Sequence, residues 1–220
     1  MPLILILAEC GVELIPSQIR KHPAVRKNIT KKLYASQLLD NALHHSAMHK
    51  LQNHEKRGRP DIAHLCLLNA LGSPLNKNGS LDLYMHTIKN KIFHFNPNIR
   101  IAKNFNRFKG LMANMLIKGE IKDYIEKFEG NLRELITTIQ DPKILLFSHQ
   151  GTFKKKFTEI FMKDISKNVI AIVGGFQKGM FSREILNLSQ ELISVSKEHL
   201  EAWIVIAKII NYYEIIHKIL

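Results

Sequence analysis

The sequence predicts an α/β protein: a mostly parallel sheet flanked by helices. Three observations carry that reading. Apolar runs of strand length recur at Leu3–Leu7, Lys143–Phe147 and Val169–Val173. Strands and helical stretches alternate in the last third of the chain, which implies parallel strands covered by helices. Hydrophobic residues make up 45% of the 220, enough for a core in one large domain.

Leu3 to Leu7 reads as a buried strand, and Pro16 ends the apolar positions Val12, Leu14 and Ile15 that follow it. Residues 17–33 are a basic region carrying Arg20, Lys21, His22, Arg26, Lys27, Lys31 and Lys32. Asp40 suits the cap of a helix from Asn41 to Gln52, because its short carboxylate can accept from the free amides of the first turn. In Arg57-Gly58-Arg59-Pro60-Asp61, Pro60 fits a first helical turn and Asp61 its positive end. Ile62 to Leu71 is apolar almost all round, so that helix should be buried, with Gly72 and Pro74 ending it.

Leu81–His86 and Lys91–Phe95 alternate apolar and polar, with Asn90 between them, which predicts a hairpin. It reads as a small insertion around 77–100 in a single domain over 1–220. Phe105, Phe108, Leu111, Met112, Met115 and Leu116 fall at helical spacing, as do Leu132, Leu135 and Ile136. The remaining elements are a strand at Lys143–Phe147, a helix at Thr152–Met162, strands at Val169–Val173 and Leu192–Val195, and a long helix at His199–Ile219.

Thirty-two Lys and Arg face 19 Asp and Glu, a formal charge of +13, with 11 His besides. A charge of that size points to a polyanionic partner, a nucleic acid or an acidic membrane surface. Membrane binding needs a basic helix with an exposed apolar face, and the apolar faces here read as buried. Met1–Ala8 lacks the basic leading region of a targeting signal, and Lys208, Glu214 and His217 keep the C-terminal apolar stretch short of a span. A soluble, cytoplasmic protein is expected. Cys10 and Cys66 fit no metal or CxxC spacing and read as buried thiols in a reducing compartment.

Gly174-Gly175-Phe176-Gln177-Lys178-Gly179 directly follows the Val169–Val173 strand. Clustered glycines at a strand end let main-chain groups approach a ligand, although an ordinary turn would look the same. Gly174 and Gly179 have the spacing of a phosphate loop, but Met180 stands where its lysine is required, and GxGxxG is absent. Arg100, Lys103 and Arg107 cluster with Phe105 and Phe108 at the start of a helix. The cations could hold phosphates and the rings could stack on bases; core packing explains the rings better. Asp61, two residues from Arg59, could fix its guanidinium for a planar partner, an arrangement that is also common on surfaces. His45 and His49 share a helix face without a third ligand at useful spacing, so no metal is expected.

Taken in order, these segments resemble the archaeal and eukaryotic family of ribosomal RNA pseudouridine N1-methyltransferases of the SPOUT superfamily. The matching pieces are Leu5–Glu9 with Glu13–Pro16, Arg57–Ile62, Leu71–Asn76, Tyr84–Thr87, Arg107–Met112, Val173–Phe176 with Gly179, and Ala202-Trp203. The resemblance implies a homodimer with a C-terminal trefoil knot, a role in ribosome assembly, and S-adenosylmethionine held against Gly174, Gly179, Leu192, Ile193, Ser194, Val195, Ser196 and Lys197. It implies Arg59, Arg100, Lys103 and Arg107 as contacts to small-subunit ribosomal RNA, with Asp61 steadying Arg59. DNA and membrane partners are not expected. Where the family usually has Pro-Arg, this chain has Ala102-Lys103, which keeps the charge and loses the fixed φ and the guanidinium fork. Two rivals remain: a SPOUT methyltransferase for transfer RNA or a ribose hydroxyl, and an RNA-binding assembly factor with little or no catalysis.

Overall fold

A computed structural model describes residues 2–161, 168–189 and 191–219. Seven strands form one sheet in the order β4-β3-β2-β1-β6-β5-β7. In chain order they are β1 (Leu3–Cys10), β2 (Leu81–Thr87), β3 (Ile92–Phe95), β4 (Ile125–Phe128), β5 (Pro142–Phe153), β6 (Asn168–Gly174) and β7 (Leu192–Ser194). The helices are α1 (Pro23–Arg26), α2 (Asn41–Met48), α3 (Pro60–Gly72), α4 (Pro74–Lys77), α5 (Phe105–Lys118), α6 (Leu132–Thr137), α7 (Arg183–Leu186) and α8 (Ala202–His217).

β1 lies at the centre, parallel to β2 on one side and to β6 on the other. Its uninterrupted apolar run follows from burial on both faces. Alternate residues serve different layers. Leu3, Leu5 and Leu7 join the larger core with α3, α5 and α8, whereas Ile4, Ile6 and Ala8 join a second core with α6 and Ile185 of α7. A third, small cluster of Ile15, Ile19, Val25, Leu39, Ala47, Met48 and Leu51 holds the basic region and α2 together. Asp40 caps α2 through Ala42 N–H, and Asn104 caps α5 through Arg107 N–H. α3 is buried on most sides, as its composition requires.

Four expectations are corrected. The Leu81–Phe95 hairpin is no appendage: β2 pairs in parallel with β1 and extends the main sheet, and only β3 and β4 add antiparallel strands. The helix expected at Thr152–Met162 is absent among the described residues. β5 instead continues to Phe153, shifts register after Phe147, and pairs Thr152 and Phe153 with β7. A 3-10 turn, Phe157–Glu159, follows, and Met162 lies outside the described residues. Gly151 permits the shift, since a Cβ there would meet the Ile193 backbone at 2.5 Å. α2 stops at Met48, which lets Leu51 fold into the third cluster. The last helix starts at Ala202, leaving residues 195–201 as a loop.

Candidate functional site

The carboxyl ends of β5, β6 and β7 open into a crevice of about 270 Å³, the place where open parallel sheets bind ligands. One wall is the glycine turn, from Gly174 through Phe176 to Phe181. The second is Phe147, Ser148 and His149 at the end of the straight part of β5. The third is Ile193 to Ser196 and Glu198 to Ala202, with Val205 of α8 behind them. Val173, Ile193 and Val195 give it an apolar floor.

The backbone of the turn is specified closely. Gly175 N–H donates to Ala8 C=O at 2.8 Å, and Gly11 N–H donates to Gly175 C=O at 3.3 Å. A side chain at Gly175 would collide with Cys10 Sγ. Gly179 has φ +104°, and a Cβ there would lie 3.2 Å from Lys56 Cε. Glycine at these two positions lets the turn pack directly on Cys10 and Lys56.

Of the residues expected around a methyl donor, Gly174, Gly179, Ile193, Ser194, Val195 and Ser196 line the crevice. Leu192 pairs with Leu146 inside the sheet, and Lys197 is exposed; neither is a wall residue. Three wall segments escaped the sequence reading: Phe147–His149, Phe181 and Glu198–Ala202. The β5 end adjoins the β6 end in register, so strand order would have pointed to the first. His149 and His199, from opposite walls, approach edge to face at 5.0 Å between ring centroids.

Next to the crevice lies a second, charged constellation. Arg59 Nε and Nη2 donate to the two Asp61 carboxylate oxygens at 2.9 and 2.6 Å. That fork fixes the guanidinium plane. The hydrogen bond to Asp61 raises the Arg59 pKa, and the charges of Asp61, Glu201 and Asp40 add to it. Glu201 is itself a crevice wall, at the residue preceding α8, so the arginine and the crevice share one electrostatic neighbourhood.

Arg100, Lys103 and Arg107 are exposed on the loop before α5 and in its first turn. Three exposed cations thus fall within eight residues at the start of one helix, a charge density suited to phosphate. His64 of α3 ties this loop to the Arg59 helix: its Nε2 lies 2.7 Å from Ala102 C=O, and its ring stacks on Phe108 at 4.3 Å. Phe108 is fully buried and Phe105 packs against the same core, so both rings are structural. Lys109 is buried and paired with Asp40 at 2.8 Å. Among the described residues, no group of three or more His, Cys, Asp or Glu is placed to hold a metal ion. No helix among them is long and apolar enough to cross a membrane.

Residues 5–214 match the EMG1/NEP1 methyltransferase family. The curated relatives include the ribosomal RNA small subunit methyltransferase Nep1 of Staphylothermus marinus, 39% identical, with 100% of this chain and 98% of the relative covered. The Nep1 of the same description from Thermococcus kodakarensis is 37% identical over 96% of each chain. The crystal structure of Archaeoglobus fulgidus Nep1 bound to S-adenosylhomocysteine superposes with a TM-score of 0.86 at 33% identity, covering 99% of this chain and all of that one. The chain belongs to the EMG1/NEP1 methyltransferase family.

Proposed function

We propose that this protein transfers a methyl group from S-adenosylmethionine to N1 of a pseudouridine in small-subunit ribosomal RNA, acting as a homodimer during ribosome assembly. The trefoil crossing of the C-terminal strands belongs to the same reading. One observation carries it: a crevice framed by a glycine turn lies beside an arginine held in a fixed plane, in a chain whose relatives are named as rRNA methyltransferases.

The crevice residues fit the donor. Val173, Ile193 and Val195 offer apolar surface, the glycine turn offers main-chain donors and acceptors, and Glu198 and Glu201 place carboxylates on a wall where a cationic ligand would lie. When bound, the cofactor supplies an electrophilic methyl carbon on a sulfonium sulfur. The protein's contribution is alignment. Arg59, held by Asp61, orients the extruded base or its phosphate at the crevice rim. Arg100, Lys103 and Arg107 hold the flanking phosphates and set the register of the RNA.

The reading is tested by titrating the protein with S-adenosylhomocysteine, then analysing the nucleosides of a matching RNA after incubation with S-adenosylmethionine. Saturable binding and a methyl on N1 of pseudouridine are expected. A methyl on ribose or on a uridine carbon would replace the substrate assignment, and RNA binding without cofactor binding would establish an assembly factor instead.

A further inference from the structure

Buried charges away from the crevice mouth suggest how its two halves communicate. Near the end of β1, Glu9 has a φ of +54° where the pairing with β2 shifts register between Leu7 and Cys10, and residues 11–13 follow as a loop. Segment 56–59 lies along this loop and is fastened at three points. Lys56 Nζ donates to Glu9 Oε2 at 2.8 Å, Arg59 N–H donates to Gly11 C=O at 3.0 Å, and Arg57 donates twice to the Glu13 carboxylate at 2.6 Å. The opposite edge of the same loop carries the glycine turn, through the Gly175 hydrogen bonds to Ala8 and Gly11.

Lys56 and Glu9 reach further than the other fasteners. The Lys56 ammonium lies 4.6 Å above the Phe176 ring, and its stem fills the space beside Gly179. Glu9 also accepts from Ser182 N–H at 3.2 Å, where the turn ends. One buried ion pair therefore touches the turn at its middle and at its far end, and its lysine is three residues from Arg59.

Resting on the proposed methyl transfer, we propose that Lys56 and Glu9 are positioning residues that hold the glycine turn in its binding shape and couple donor binding to RNA binding. Neither touches the reacting atoms. RNA gripping Arg59 steadies segment 56–59, Lys56 then steadies the turn, and linkage requires that donor binding strengthen RNA binding by the same factor.

The test measures S-adenosylhomocysteine affinity with and without a matching RNA hairpin, in the wild type, Lys56→Met, Lys56→Arg and the double variant Glu9→Gln/Lys56→Met. In the wild type, RNA is expected to tighten cofactor binding about tenfold. Lys56→Met should weaken cofactor binding about tenfold, abolish the effect of RNA and raise KM for the donor far more than it lowers kcat, while RNA affinity without cofactor stays level. Lys56→Arg should restore part of the coupling. The double variant leaves no stranded buried charge, so its melting temperature should recover. Its cofactor affinity should stay low and uncoupled; affinity that returned with the melting temperature would reduce the pair to a structural role and overturn the inference. Coupling that survives in Lys56→Met would overturn it as well. A wild type that binds no cofactor or methylates no RNA would instead overturn the proposed function.

Discussion

The crevice and the cationic face are built by opposite means. The crevice is made mainly of glycine turn, loop backbone and apolar floor. The cationic face depends on side-chain charge held by partners: Arg59 by Asp61, and the 100–103 loop by His64. The contrast matches the chemistry of the ligands proposed for them. A small donor is recognised by shape, which backbone fixes well, and a polyanion is recognised by charge, which only side chains carry. The two regions should accordingly fail in different ways.

The largest effect is expected from Gly179→Val. A β-branched residue at φ +104°, with its Cβ 3.2 Å from Lys56, should cost cofactor affinity about 100-fold, roughly 3 kcal/mol, and leave RNA affinity unchanged by filter binding. Arg59→Ala should do the reverse. Losing its charge-assisted bond should weaken RNA binding by about 2 kcal/mol, with cofactor titration unaltered. Equal loss of both ligands in either variant would erase the division of labour. Salt sharpens the comparison further: raising it should weaken RNA binding log-linearly and barely touch cofactor binding. Arg107→Ala should reduce the RNA salt slope by about one.

The smallest effects are in pH. Burial lowers the His86 pKa below 6.5, and its Nδ1 accepts from Glu9 N–H. The unfolded chain then binds this proton more readily than the folded one, so His86's contribution is present above pH 6.5 and lost as pH falls below it. The hydrogen bond to Asp82 raises the pKa of His94, on β3, so its contribution is full below pH 6.5 and lost as pH rises through the folded value. His86→Gln should flatten the acid side of a melting-temperature profile and His94→Gln the neutral side, each by less than about 1 kcal/mol.

What the sequence revealed was local. Asp61 lies two residues from Arg59, and the glycines follow their strand directly, so short-range chemistry sufficed to mark both. Pro60 and Asp40 marked helix starts for the same reason. The misreadings were contacts made over long separations. Thr152 and Phe153 look helical until β7 is in place to pair with them. The hairpin looked inserted because nothing in its own residues says that β1, some 75 positions earlier, lies beside it. The Glu9–Lys56 pair spans 47 residues, and neither side chain announces the other.

Cys10 offers a use for the contact between its sulfur and Gly175. The thiol is fully buried, burial raises its pKa, and the turn itself is the cover over it. In a protein whose other cysteine has been changed to alanine, an alkylating reagent could reach Cys10 only during moments when that cover lifts. Labelling kinetics would then clock the breathing of the glycine-turn wall from inside, and slower labelling with each added ligand would show how firmly that ligand closes it.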